Sequence, residues 1–334
     1  MAENIRLGLL RLSDAAPVVL ARDLDIFAAH GLKVELHVEP SWANVADKLS
    51  YGLLDGAVMP PPLALACALG LRGRRTDLVV PMSLSANGNA VTFSNAWKNA
   101  FEGEGQNLRA AIAARHARPR LAVVHGFSTH DLLLRYWLAA KGIDPDRDVE
   151  LTALPPAEMV GSLAAGAIDG FCAGAPWGQV AAHARLGFIA VQSRDIWRDH
   201  PEKCLAVRSD FAVQNPDRHL ALLAALRESA ALCADPVRCT DLARLLARPD
   251  YLDLPAELIA QSLDTEEGGP KFDQNYPEPA HAAWFAQQLI RWGKAPEAAL
   301  PVSQALYRPE LYLSAGGTRP ALQAEWFFDA ADVV

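Results

Sequence analysis

Pro155–Trp177 reads PPAEMVGSLAAGAIDGFCAGAPW, and the fold turns on it. Two prolines open it, and Met159, Val160 and Leu163 follow at helical spacing, so an amphipathic helix is expected. Gly166 punctuates its end. Ile168–Ala173 is then a short apolar run interrupted only by Asp169 and Gly170, the pattern of a buried strand. The strand runs out in Gly174-Ala175-Pro176-Trp177, small residues that let backbone approach whatever lies beyond its carboxyl end. Open α/β sheets bind their ligands there.

The same device stands earlier, in Val45–Met59, VADKLSYGLLDGAVM, followed by Pro60-Pro61-Pro62. Gly-x-x-Asp-Gly occurs at 52–56 and again at 166–170. Two copies of a helix–turn–strand unit, each ending in a proline-containing loop, predict two similarly built α/β lobes with a cleft between them.

Around these copies the chain alternates. Ile5–Leu10 and Leu32–Val38 read as strands, with a helix through Val18, Leu20 and Leu24 to Phe27 between them. The first sixty residues are thus β-α-β-α-β, a largely parallel sheet. Leu78–Leu84 is a further strand, Asn87-Gly88 a turn signal, and Ala90–Phe93 the crossing into the second lobe. Leu121–Val124 and Val149–Leu154 are strands flanking a helix, Asp131–Ala140, for which Ser128 or Thr129 is the N-cap. Asn99–Gln106 reads as a surface loop. Phe188–Val191 and Ser193–Trp197 lead to Asp199-His200-Pro201-Glu202-Lys203. From Asp210 onward the pattern is helical, and Trp326, Phe327 and Phe328 anchor the last thirty residues. The expected division is 1–88 with 204–334 as one lobe and 89–203 as the other.

The chain has 334 residues, 51% hydrophobic and 21% charged, room for two domains of ordinary globular composition. A net charge of −8 argues against a direct nucleic-acid binder, and any anion site must be a local positive spot in a negative field. Cysteines 67, 172, 204, 233 and 239 form no Cys-x-x-Cys pair, so no zinc site is expected and a reducing compartment fits. Met1–Arg11 has no long apolar segment, and no stretch reaches the ~20 apolar residues of a membrane span. A cytoplasmic protein is expected.

No nucleophile elbow, His-Glu-x-x-His, phosphate-cradling loop or Gly-x-Gly-x-x-Gly occurs, and no catalytic residue is assigned. Four other residues share a position. Trp42 precedes a helix, Asn89 follows a turn, His130 sits at a helix N-terminus, and Lys203 follows a tryptophan-containing strand. Each has an ordinary structural role open to it: core, turn, cap or solvated surface. Together they fall at or near the carboxyl ends of expected strands, where a helix N-terminus and an imidazole would face an anion.

At this point the residues resemble a known family, the nitrate- and bicarbonate-binding solute receptors of ABC transporters (NrtA/CmpA-like). The resemblance lies in His130–Ala140 (HDLLLRYWLAA) with Gly142-Ile143-Asp144-Pro145, in Pro155–Trp177, and in Gln192–Lys203 (QSRDIWRDHPEK). Tyr276-Pro277, His281, Trp284-Phe285 and Arg291-Trp292-Gly293 extend it. It implies an α/β, two-lobed, periplasmic-binding-protein-like type II fold with an interlobe ligand cleft, no enzymatic activity and no cofactor. It also implies an anion held by Trp42, Asn89, His130 and Lys203, lined by Pro156 and Ala173, with Thr129 and Ser85 as neighbours. Such a set suits a planar anion that only accepts hydrogen bonds: an ammonium, directed donors and a flat apolar wall. The buried lysine is expected to lack a carboxylate partner, so that the ligand completes it.

Two departures bear on the ligand. The family's Gly-Glu-Pro-Trp is Gly174-Ala175-Pro176-Trp177 here, and Pro279 stands where Tyr-Pro-x-Lys-x-His often has lysine. Bicarbonate receptors can use a calcium ion, and the lost acid favours nitrate or nitrite, with no metal. The family's export signal is also missing. Within the family the chain therefore resembles NasS-type cytosolic nitrate/nitrite sensors, which hold a NasT-like RNA-binding antiterminator of the ANTAR type and release it on ligand binding. The alternative is a solute-binding component of a nitrate, nitrite or bicarbonate ABC transporter. An enzyme akin to the related pyrimidine-precursor synthases would need a catalytic His/Cys arrangement and a cofactor lysine that the sequence does not display.

Overall fold

The repeated Gly-x-x-Asp-Gly turn makes the same bonds in both places. In the computed structural model, which describes residues 4–102, 107–321 and 327, Gly52 and Gly166 both take left-handed backbone, φ 73° and 64°. Asp55 Oδ2 accepts from the Arg6 amide at 2.8 Å, and Arg6 Nη2 donates to the Gly52 carbonyl at 3.0 Å. In the second copy Asp169 Oδ2 accepts from the Arg120 amide at 2.8 Å, and Arg120 Nη2 donates to the Gly166 carbonyl at 2.7 Å. Each aspartate pins the turn to the edge of the neighbouring strand, so the motif is a register device. Asp169 also accepts from the buried Trp97 Nε1 at 3.1 Å. Asp169→Ala leaves the Trp97 donor unpaired and is expected to lower stability by about 1–3 kcal/mol. Denaturant unfolding measures it, and an unchanged midpoint would contradict the assignment.

Strands β1 (Ile5–Leu9), β2 (Val34–Val38), β3 (Gly56–Met59) and β4 (Leu78–Ala86) form one sheet with β10 (Pro201–Arg208), in the order β2-β1-β3-β10-β4. Strands β5 (Asn89–Ser94), β6 (Arg120–Val123), β7 (Glu150–Ala153), β8 (Gly170–Gly174) and β9 (Gly187–Gln192) form the other, in the order β7-β6-β8-β5-β9. The two orders correspond strand for strand. In each, three strands run parallel, and a fourth enters antiparallel between the third and the edge strand. Two mixed sheets with helices make a two-lobed α/β protein.

The chain crosses between sheets at Asn87-Gly88 and returns before Pro201. The expected boundary had put 201–203 with the second lobe, whereas β10 belongs to the first sheet throughout. Both crossings use left-handed backbone: Asn87 φ 58°, Gly88 φ 85°, Asp199 φ 58°. They are also tied together. The Asn87 amide donates to the His200 carbonyl at 3.0 Å, and Asn87 Nδ2 to Asp199 Oδ1 at 3.1 Å. Lys271 Nζ holds the same aspartate oxygen at 2.7 Å. The two crossings behave as one joint.

The C-terminal part is helical, as the pattern from Asp210 onward predicts. Pro216–Cys233 packs on the first lobe's Ala16–Asp23 helix, while Pro279–Arg291 touches both the Pro61–Leu69 helix and the second lobe's Thr129–Ala140 helix. Just beyond it, Lys294 Nζ donates to the Gly126 carbonyl at 2.6 Å and to Asp131 at 2.5 Å. Ser193–Asp195 is a 3-10 turn and not a strand. Trp197 therefore lies outside the named strands, in an isolated bridge to Phe327, with the two rings stacked at 5.1 Å. Trp326, Phe328 and the end of the expected 99–106 loop lie outside the described residues. Among the described residues no helix is long and apolar enough to cross a membrane.

Candidate functional site

Two helices open at the joint between the lobes. Trp42 is the first residue of the Trp42–Ser50 helix rather than part of a preceding loop, and Ser41 caps it. Thr129 and His130 begin the Thr129–Ala140 helix, whose Ser128 cap accepts from the Asp131 amide at 3.1 Å. First-turn amides of such helices favour an anion. Between them stand the end of β4 with Ser85, the start of β5 with Asn89, the end of β8 with Gly174, and the start of β10 with Glu202 and Lys203. Ser85 is the register partner of Lys203.

Lys203 is fully buried, at 0% exposure, and it is not alone. Its Nζ lies 2.8 Å from Asp14 Oδ2 and 2.5 Å from Glu202 Oε1. The expectation that it lacks a carboxylate partner is thus corrected: two acids flank it, although the family's acid is absent at position 175. The reason is a bulge. The β10–β4 register shifts on either side of Lys203, so adjacent side chains that would point to opposite faces of a regular strand meet here. The ammonium also lies 5.4 Å from the Trp42 ring centre. Burial works against its charge, but Asp14 and Glu202 outweigh burial and hold its pKa above the ordinary lysine value.

Glu202 is buried to the same degree and ties the cluster together. Its Oε2 accepts from Asn89 Nδ2 at 2.5 Å, its Oε1 lies 3.4 Å from His130 Nε2, and its carbonyl accepts from Thr129 Oγ1 at 3.5 Å. Burial pushes its pKa up to about 7, against the pull of Lys203. His130 is held well below its usual pKa by burial and by Lys203 and His200, so its ring is neutral.

Five buried polar atoms here have no hydrogen-bond partner among the described residues: Trp42 Nε1, Ser85 Oγ, Asn89 Oδ1, and both ring nitrogens of His130. Each orphan costs on the order of 1–3 kcal/mol unless something satisfies it. Gly174 marks where two of them, Asn89 Oδ1 and His130 Nε2, face. A Cβ built there would sit 3.5 Å from Asn89 Oδ1, 3.5 Å from Asp14 Oδ2 and 3.6 Å from His130 Nε2. The missing side chain leaves a polar-walled space at the carboxyl end of β8.

The structure therefore gathers Trp42, Ser85, Asn89, Thr129, His130 and Lys203. Pro156 opens the Pro156–Ala164 helix and is buried, with no polar side chain to offer a ligand. Ala173 pairs with Ala90, one residue before the Gly174–Asn89 pair, and the pleat turns its methyl to the sheet face opposite Asn89. Gly174 is the residue that faces the cluster. Sequence reasoning gives Asp14 and Glu202 no role in the site and marks Gly174 only as a small residue at a strand end.

The model of the NMT1-like family matches residues 2–247. The nitrate import ATP-binding protein NrtC of Synechocystis is 38% identical over 329 residues, covering 92% of this chain and 49% of that protein. The nitrate/nitrite binding protein NrtA of Synechococcus elongatus is 32% identical over 321 residues, covering 88% of this chain and 72% of NrtA. The crystal structure of the periplasmic nitrate-binding protein NrtA from Synechocystis superposes with a TM-score of 0.92 at 28% identity, covering 98% of this chain and 94% of that one. The chain spans about half the length of the ATP-binding relative it matches.

Proposed function

Because the chain belongs to the NMT1-like family, we propose that it is a receptor for a small oxyanion, nitrate or nitrite, held between its lobes at the Lys203 cluster. One observation carries this: unpartnered polar atoms gathered round a buried ammonium, at the mouths of two helices. A planar anion would accept from Lys203, neutral His130, Trp42 Nε1 and Ser85, and satisfy groups that otherwise cost stability. The names of NrtC and NrtA carry nitrate, while that of CmpC of Synechococcus elongatus, a relative 38% identical, carries bicarbonate. Ser193 Oγ lies 2.8 Å from His200 Nε2, but it is buried and also accepts from the Asn89 main-chain amide at 3.1 Å, so the pair is read as structural and the site as binding without catalysis. Isothermal calorimetry with nitrate, nitrite and bicarbonate tests it. The expected result is one site for nitrate or nitrite, and no heat from either would overturn the reading.

Two uses of such a receptor follow. The relatives' names favour the solute-recognition part of a nitrate import assembly. The sensor reading rests on the resemblance to NasS-type proteins and on the net charge of −8, which suits a basic, RNA-binding NasT-like partner. A cytosolic location belongs to that second reading, and cell fractionation tests it. In gel filtration, a complex with the antiterminator that dissolves in millimolar nitrate supports the sensor. A complex indifferent to nitrate, or binding instead to permease and ATPase subunits, overturns it.

A further inference from the structure

We propose that the pocket takes in one proton together with a proton-free oxyanion, and that the proton resides on Glu202. This deepens the oxyanion reading above and rests on it.

The argument starts from charge. Lys203 is the cation of the cluster, and Asp14 and Glu202 both lie against it. With both acids ionised the three groups sum to −1, and a nitrate would bring them to −2 in a space walled off from water. The groups facing Glu202 from the other elements do not relieve this. His130 and His200 are neutral, His200 being pushed down to about 3 by burial, with its Nδ1 3.9 Å from Glu202. Burial holds Cys172 and Cys204 as thiols. Asp131, at the start of the same helix as His130, is engaged by Lys294 and Arg135. A proton on Glu202 restores neutrality before the anion arrives.

The hydrogen bonds say the same thing independently. Ionised Glu202 takes the Asn89 NH2 group at 2.5 Å, which leaves Asn89 Oδ1 unpartnered and turned toward Gly174 and the space beside His130. An acceptor there repels an anion that itself only accepts. A proton taken from solvent onto Glu202 Oε2 reverses the pair. The acid O–H then donates to Asn89 Oδ1, the amide turns over, and its NH2 faces the ligand. One proton thus removes a negative charge and converts a wall acceptor into a donor. Asp14 cannot substitute, since it touches Lys203 and not Asn89.

Nitrate titrations from pH 5.5 to 9 test this, with calorimetry at pH 8 in two buffers of different ionisation enthalpy. The dissociation constant is expected to stay flat below about pH 6 and to rise about tenfold per pH unit above about pH 7. One proton should be taken up per nitrate at pH 8. Glu202→Gln carries a permanent donor toward Asn89. It should bind with a flat pH profile and more tightly than the wild type at pH 8.5. Wild-type binding that is indifferent to pH, with no proton uptake, overturns the proposal while leaving the receptor reading standing. No nitrate or nitrite binding at any pH overturns both.

Discussion

Lys203→Met is expected to abolish nitrate binding and, at the same time, to weaken the fold. Removing the ammonium takes away the charge that draws the anion in. It also leaves Asp14 and Glu202 buried against each other without their shared cation. Breaking a buried ion pair by deleting one partner costs about 3–5 kcal/mol, far more than loss of an exposed lysine. The stability cost comes from the two flanking acids, which the expectation of a lysine without a carboxylate partner leaves out. Part of the loss is relieved because Glu202 protonates more readily once the lysine is gone. The variant should therefore be least impaired in acid and most impaired above neutral pH. Denaturant unfolding at pH 5.5 and 8 measures both, with calorimetry for the ligand. Adding Glu202→Gln to Lys203→Met should recover stability at pH 8 without recovering binding. A Lys203→Met protein as stable as the wild type at pH 8 would contradict the buried triad.

Gly174→Val carries the second large effect, on binding alone. The position has ordinary backbone, absent from the residues with positive φ, and a Cβ would make only normal contacts at 3.5–3.6 Å. The backbone therefore tolerates a side chain. The two methyls beyond that Cβ would fill the space between Asn89, Asp14 and His130 where a ligand oxygen must sit. Losing two charge-assisted hydrogen bonds at about 1.5–3 kcal/mol each predicts at least a hundredfold weaker nitrate binding. Circular dichroism should be unchanged, and Gly174→Ala should fall between the two. Full affinity in Gly174→Val would place the ligand elsewhere.

These two residues also show what could be read in advance. The lobes were legible because Gly52 and Asp55, and Gly166 and Asp169, act over a few residues of chain. Left-handed glycines and strand-pinning aspartates leave a local signature. Trp42, Thr129 and His130 were legible as positions at helix openings, which capping chemistry marks. Asp14 and Glu202 were not. Asp14 meets Lys203 only through the folding of the whole first sheet. Glu202 meets it only because a bulge suspends the alternation by which strands are read. Gly174 was noticed as a small residue near a ligand. That it, and not Ala173, faces the cluster depends on pairing with Asn89 across a sheet whose register the sequence does not state.

The joint at Asn87 and Asp199 divides the cluster unequally. Asp14, Trp42, Ser85, Glu202 and Lys203 stand on the first lobe, while Asn89, Thr129, His130 and Gly174 stand on the second. All the formal charge lies on one side and only neutral dipoles lie on the other. Arrival is thereby split into two acts: the guest first meets the Lys203 ammonium at contact range on a half with no net positive charge, and the neutral dipoles of the other half then close over it. Where Glu202 is protonated the triad carries no net charge, so salt in the medium should barely change the rate of the first act.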